Sequence, residues 1–137
     1  MADVKWLFMK NTLKESHVKI ISNSNENAKL ALPLKDLLMS EYQELSDTPL
    51  RVLIKAIEWT GEPNAMVRVK RGGERIMTLK AEPNGTLMFD GQQQSAETHN
   101  ADKDFEFEFL GNAPMEAWFI LKKENYKLID SIQNEIY

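Results

Sequence analysis

The chain has 137 residues with 42% apolar and 28% charged side chains, and its net charge is −4. This length suits one globular domain with its own core, and the acidic balance argues against nucleic acid, whose binding needs a basic surface. The chain contains no cysteine, which excludes disulfides and thiolate metal sites and suits a reducing cytoplasm. No apolar run is long enough for a membrane span, and residues 1–12 do not resemble a signal peptide.

Short β patterns begin close to the start of the chain. Residues 4–10 and 17–22 are rich in β-forming side chains and predict two strands. Polar turn residues occupy positions 22–27. Residues 28–34 then resume an alternation of apolar and other side chains, which indicates a further strand.

Residues 34–46 interrupt the β pattern. Four leucines fall on one face of a helix: Leu34, Leu37, Leu38 and Leu45. Pro33 suits a first helical position. The pattern predicts a short helix inserted between strands and ended by the polar residues 46–49.

The β pattern returns at residue 50. Residues 65–80 predict a hairpin, because Gly72 and Gly73 can adopt the positive φ angles of a tight primed turn. Further strands are predicted at 50–59, 86–90, 104–110 and 117–123. About eight short strands with turns every 8–12 residues are typical of a sandwich or barrel, and no βαβ rhythm indicates a parallel sheet. The sequence therefore predicts an all-β, antiparallel β-sandwich of jelly-roll type.

Residues 125–137 follow a different period. Tyr126, Ile129, Ile132 and Ile136 recur at helical spacing. They predict a C-terminal amphipathic helix or tail beside a sandwich domain of residues 1–124. A helix this short is marginal alone in water, so we expect it to dock on its own sandwich or on a neighbouring subunit.

The segment DKDFEFEF at 102–109 alternates acidic and aromatic side chains. In a strand, Glu106 and Glu108 would stand on one face roughly 6.5–7 Å apart, close to the carboxyl separation of inverting glycosidases, roughly 6.5–9.5 Å. A small glycoside-processing enzyme is therefore one hypothesis. Burial of Phe105, Phe107 and Phe109 explains the same pattern without catalysis, and this is the interpretation that we prefer.

Histidine and tryptophan form no recognisable site. His17 starts a predicted strand and His99 lies in a polar loop, without the spacing of a metal site or of a catalytic triad. Trp6, Trp59 and Trp118 are able to stack on sugars, but each lies inside a strand pattern and is expected in the core. The sequence thus predicts no catalytic residue, no cofactor and no metal.

A basic run, RVKRGGER at 68–75, surrounds the predicted hairpin turn. It is not a phosphate loop, because it lacks the GxxxxGK[ST] pattern and stands between strands. Arg68 and Lys70 share one strand face, which is solvated in the ordinary interpretation and binds acidic glycans or nucleic acid in the alternative one. This face complements Glu106 and Glu108, so we expect the two strands to pair within one chain or across a subunit interface.

Residues 50–126 resemble small virion-associated β-sandwich proteins of tailed bacteriophages. The matching pieces are IEW at 57–59, a VxVxRxGE-type hairpin at 67–74, GTLMFD at 85–90, NAD at 100–102 and LKK at 121–123. The resemblance implies a non-enzymatic structural component of a phage particle, on the capsid as a decoration or cement protein or at the neck or tail. It includes no ligand motif, so it implies no binding residue.

One functional expectation and one alternative follow. We expect a virion protein, assembled in the host cytoplasm as a homo-oligomer in contact with phage capsid or tail proteins, without nucleic acid or membrane as a partner. The alternative is a carbohydrate-binding β-sandwich module or adhesin that binds a surface glycan through loop residues 92–99. The residues expected at interfaces are Tyr126, Ile129, Ile132, Ile136, Arg68, Lys70, Glu106 and Glu108.

Overall fold

The computed structural model of the protein describes residues 3–81, 85–88 and 99–129. Its strands are β1 (Val4–Asn11), β2 (Glu15–Ser22), β3 (Ala28–Leu32), β4 (Gln43–Leu45), β5 (Arg51–Gly61), β6 (Met66–Arg71), β7 (Glu74–Lys80), β8 (Gly85–Met88), β9 (Phe105–Leu110), β10 (Met115–Glu124) and β11 (Tyr126–Leu128). A 3₁₀ helix spans Leu34–Leu37. Within the described ranges, no helix has the length and apolar character that a bilayer crossing requires.

The strands form two main sheets that pack face to face. One has the order β1-β2-β10-β5-β8 and the other the order β3-β9-β6-β7, while β4 and β11 form a small separate ladder. All of these pairs are antiparallel. Side chains of both sheets share one core, in which the rings of Phe107 and Phe119 lie 5.4 Å apart. The predicted all-β antiparallel sandwich is confirmed.

Four of the strand pairs form one long folded hairpin. Its first arm runs through β2, β3, β5 and β6, and its second arm returns through β7, β8, β9 and β10, each strand pairing with its counterpart. Gly72 and Gly73 close it with φ of 58° and 81°, as the predicted primed turn requires. The pairs β5–β10 and β6–β9 then join neighbouring parts of the folded hairpin into the two sheets.

The acidic and aromatic strand behaves as its alternation predicts. Phe105, Phe107 and Phe109 are 1–2% exposed, whereas Glu106 and Glu108 lie on the opposite face of β9. Burial of three phenyl groups contributes roughly 5–9 kcal/mol before conformational entropy is counted. Glu106 and Glu108 thus lie on the outer face of β9, whose inner face is part of the core.

The helix predicted at 34–46 is wrong in its extent. Only Leu34–Leu37 are helical, as a single 3₁₀ turn, and Leu38 is already extended, with φ −72° and ψ 139°. The leucine spacing reflects burial of Leu34 and Leu37 against the sandwich. Further along, Gln43 begins β4, and its side-chain Oε1 accepts a hydrogen bond from the Met39 N–H. Tertiary contacts therefore override the helical pattern.

The helix predicted from residue 125 does not begin there. Asn125 has a positive φ of 67°, which turns the chain from β10 into β11, and Tyr126–Leu128 pair with β4. The backbone N–H of Ile129 donates to the carbonyl of Tyr42 at 3.0 Å. The start of the segment is therefore a strand held by residues 33–50 between β3 and β5, called the insert below. Ile132 and Ile136 lie outside the described residues.

Candidate functional site

The four charged residues predicted at an interface lie together on the outer face of the β3-β9-β6-β7 sheet, called the charged face below. Within this sheet, β9 runs between β3 and β6. Arg68 lies directly opposite Glu108, and Lys70 lies opposite Glu106. The basic strand β6 and the acidic strand β9 therefore pair within one chain, which is the first of the two arrangements that the sequence predicted.

The charged face is built around the carboxylate of Glu108. Lys70 Nζ lies 2.9 Å and Arg68 Nη1 lies 4.0 Å from Glu108 Oε1. The hydrogen bond from Lys70 is the main cause that lowers the pKa of Glu108, and the nearby charges of Lys29 and Arg68 lower it further. A general acid needs a raised pKa, so this arrangement does not favour acid catalysis by Glu108.

A second surface is a groove on the outer face of the five-stranded sheet. It has a volume of about 390 Å³, within the range of small-molecule sites. The side chains that characterise it are those of Met9, His17, Ala56, Glu58, Thr86, Trp118 and Ile120. The groove therefore combines an apolar floor with a few polar groups.

Trp118 is the tryptophan that departs from the expected core position. It is half-buried and lines the groove, with Lys19 Nζ 5.2 Å from its ring centre. Its neighbours Ala117 and Phe119 are buried. The strand alternation of β10 could have identified it, since Trp118 and Ile120 must point away from the side of Phe119.

Trp6 and Trp59 pack against the core, as expected. The Trp6 ring meets Phe8 edge to face at 5.2 Å. The indole N–H of Trp59 donates to the carbonyl of Lys80 at 2.7 Å, which links the two sheets at their β5 and β7 strands. Both rings therefore have structural roles.

His17 stands at one side of the groove beside an ion pair. Its Nε2 lies 3.4 Å from Glu15 Oε1, while Glu15 Oε2 also pairs with Lys55. The hydrogen bond from Lys55 is the main cause that lowers the pKa of Glu15. His99 is exposed, and the described residues contain no group of three or more side chains suited to hold a metal ion.

Lys123 is a buried cation that sequence reasoning missed. Its side chain occupies the inward phase of β10 and is only 3% exposed. Nζ donates to the Leu37 carbonyl at 2.9 Å, to Asn11 Oδ1 at 3.0 Å and to Gln43 Oε1 at 3.1 Å. Burial lowers its pKa to about 8. Lys123 thus ties the insert to the sandwich through neutral acceptors.

Arg71 is the second buried cation that sequence reasoning missed. It follows Val67 and Val69 in the inward phase of β6. Its guanidinium donates to the carbonyls of Val52, Ala101 and Lys103 at 2.6–3.1 Å. The same group lies 4.1 Å from the ring centre of Phe105. Arg71 thereby holds the segment before β9 against β5.

The remaining predicted interface residues lie around the end of the chain. Tyr126 is half-buried against the core, and Ile129 is also half-buried. Ile132 and Ile136 belong to residues 130–137, outside the described part. Tyr126 therefore contributes to the sandwich itself, whatever contacts the end of the chain makes.

Comparison of the chain with protein-family models, with curated proteins and with solved structures finds no match. We therefore infer function from the outer faces of the two sheets. One is a ladder of opposite charges over a phenylalanine core, and the other is a groove with a half-buried tryptophan. Among the described residues, neither face places a nucleophile beside a base that would activate it.

Proposed function

We propose that the chain is a non-enzymatic structural protein of a tailed phage particle, acting through oligomeric contacts. The observation that carries the proposal is the charge ladder, in which Lys70 and Arg68 neutralise Glu108 on the open face of β9. Charges arranged in this way set strand register and present a patterned surface to a neighbour. In a capsid decoration or cement protein, or in a neck or tail component, such a surface would make the contacts to neighbouring subunits.

We further propose that the sandwich is a jelly roll. The two-armed hairpin from β2 to β10 is what a double Greek key of eight strands requires, and its four counterpart pairs support this assignment. The proposal agrees with the resemblance of residues 50–126 to phage sandwich proteins. The site of action is then the virion, after assembly in the host cytoplasm.

Particles from the culture that produces this chain provide the test. They are purified on a density gradient, and the chain is quantified by mass spectrometry against the major capsid protein. We expect the chain to sediment with the particles in a fixed, multiple copy number. A chain found only in the host fraction, with none in the particles, would falsify the proposal.

The groove supports a second candidate function, a carbohydrate-binding module. Trp118 offers an aromatic face, while His17, Glu58 and Thr86 supply polar groups around it. The site then lies on the sheet, and not in loop residues 92–99, of which only His99 is described. A glycan array with the purified protein tests this: W118A should abolish binding and W118F should retain part of it, whereas equal signals from all three proteins would reject the groove as a glycan site.

A further inference from the structure

The charged face has a cation excess that its own carboxylates do not neutralise. Among the described residues it carries five basic and two acidic side chains, a net charge of +3 in a chain whose net charge is −4: Lys29, Arg68, Lys70, Arg75, Lys80, Glu106 and Glu108. Lys29, Arg75 and Lys80 are exposed, and within the described part of the chain they make no ion pair. This face is therefore available to an acidic surface.

The opposite charge is concentrated at one end of the sandwich, called the acidic end below. It combines the insert with residues 102–104, because Asp104 accepts the Leu34 N–H at 2.9 Å and both segments line one cleft. Six acidic and three basic side chains belong to it: Asp36, Glu41, Glu44, Asp47, Asp102, Asp104, Lys35, Lys103 and Lys127. Its net charge is −3, equal and opposite to that of the charged face.

Most of the acids at this end are not neutralised by their own chain. Asp36, Glu41, Asp47 and Asp102 are exposed and make no ion pair with any described residue, while Glu44 lies 3.7 Å from Lys127. Exposed charges of one sign on a compact surface repel one another weakly in water. A partner of opposite sign relieves this repulsion and guides the encounter.

Each of the two surfaces also carries apolar side chains that suit a contact. Leu45 at the acidic end is 57% exposed, one of the large hydrophobic residues that this sandwich leaves in solvent. On the charged face, Met66 and Leu110 lie opposite each other and are half-buried. A specific interface needs an apolar centre with a charged rim, and Leu45 with the acids around it has that composition.

We propose that the charged face of one copy binds the acidic end of a second copy. The surfaces differ, so the contact is head to tail and generates a ring or an open chain of subunits. A polyanion is the less favoured occupant, because the acidic end and the net charge of −4 repel it. The inference deepens the proposed virion role and rests on it for its biological setting.

The test is a charge-reversal experiment on the purified full chain, by sedimentation velocity at low and high salt. The charged-face variant is K29E/R75E/K80E, which leaves the Lys70–Glu108 pair intact, and the acidic-end variant is D36K/E41K/D47K. The control for the charged-face variant is K5E/K10E/K14E, which makes the same charge change on exposed lysines of β1 and of the turn that follows it. Far-UV circular dichroism establishes that each variant is folded.

We expect the wild type and the control to associate at low salt, with affinity falling roughly tenfold or more at high salt. Each reversed variant alone should sediment as a monomer. An equimolar mixture of the two should associate again, because the unchanged acidic end of the first variant binds the unchanged charged face of the second, and the two reversed surfaces complement each other as well. This rescue separates a specific contact from simple loss of stability.

Three outcomes would overturn the inference: a wild type that stays monomeric at every concentration, association that survives both reversals, or folded variants that fail to rescue each other. Binding of a fluorescent 20-base-pair DNA duplex by a monomeric wild type would instead assign the charged face to polyanions. None of these results depends on particles. The presence of the chain in particles and its self-association therefore succeed or fail independently.

Discussion

Lys123 makes protein stability depend on pH in the alkaline range. In the folded chain its pKa is lowered to about 8, whereas the same amine in the unfolded chain keeps a value near 10.5. Between these pH values the unfolded state binds more protons, so the free energy of unfolding increases as pH rises from about 8 to about 10.5. This pH dependence of stability is opposite in sign to that of a cation whose charged form is stabilised by a carboxylate.

We therefore expect wild type and K123M to differ in urea denaturation between pH 7.5 and 10.5. The stability of the wild type relative to K123M should rise by about 3 kcal/mol over this range, at roughly 1.4 kcal/mol per pKa unit. In K123M, two of the oxygens that accept from Lys123 still have a hydrogen-bond donor. Asn11 Oδ1 accepts from the Ser16 hydroxyl, and Gln43 Oε1 accepts from the Met39 N–H. K122M, at a side chain that is 53% exposed, is the control that should follow the wild type. Parallel pH profiles for wild type and K123M would contradict the assignment.

Arg71 should be far more sensitive to a conservative change than its exposed neighbour Arg75. A lysine at position 71 keeps the charge but cannot span the carbonyls of Val52, Ala101 and Lys103 with one ammonium group. We expect R71K to lower the free energy of unfolding by about 3 kcal/mol. R75K should change it by less than about 0.5 kcal/mol, and equal urea midpoints for the two variants would refute the role of Arg71.

The two buried cations show how far alternation predicts a residue's environment. Lys123 continues the inward series of Phe119 and Leu121, and Arg71 continues that of Val67 and Val69. Strand alternation alone would therefore have predicted both side chains to point inward. Lysine and arginine are rarely buried, so their residue type indicated the opposite. Their acceptors come from distant segments, such as Asn11 and Leu37 for Lys123. Sequence spacing cannot bring such acceptors together without knowledge of strand order.

At the scale of single elements, β9 separates core packing from surface charge within one strand. F107A removes a phenyl ring that is 1% exposed and packs against Phe119. We expect it to lower the free energy of unfolding by about 3–5 kcal/mol. E106A, one position earlier on the outer face, should cost less than about 1 kcal/mol. Thermal or urea unfolding of F107A and E106A tests this prediction. A larger loss of stability in E106A than in F107A would reverse the assignment of the inner and outer faces of β9.

The insert shows why an element can be misjudged from its own sequence. Its leucine spacing is helical, but a short helix gains little from propensity alone. Leu37 meets the core after one 3₁₀ turn, and its carbonyl is taken by Lys123 and by Asn11 Nδ2. Beyond that point Gln43 and β11 hold the chain as a strand. The hydrogen bonds that decide the structure thus come from outside the insert.

At the scale of the whole molecule, the sandwich class was predictable and the strand order was not. Turn spacing and alternation are local properties, and both indicated antiparallel sheets. The position of Arg68 opposite Glu108 depends on the pairing of β6 with β9, which are separated by two other strands in the sequence. Complementary charge favoured that pairing, yet it could not exclude a pairing between subunits. Prediction of the groove would have required the order of β2, β10, β5 and β8, which the sequence does not indicate.

Two truncations separate the sandwich from the end of the chain. A chain of residues 1–129 keeps β11 and the hydrogen bond from Ile129 to Tyr42, whereas residues 1–125 lose both, together with the half-buried ring of Tyr126. If the residues after 129 contact a neighbour and not the sandwich, 1–129 should unfold at the midpoint of the full chain. The shorter chain should lose about 1–3 kcal/mol, because β4 loses its partner strand and the core loses an aromatic group.

The same truncations test the role of Ile132 and Ile136. If these residues contact a neighbour in the particle, 1–129 should remain fully stable while its occupancy on purified particles falls severalfold, as measured by mass spectrometry. Fold and assembly would then depend on different parts of residues 126–137, with Tyr126 serving the sandwich. Full occupancy by 1–129 would remove both isoleucines from the interface and leave the charged face as the surface through which this protein assembles.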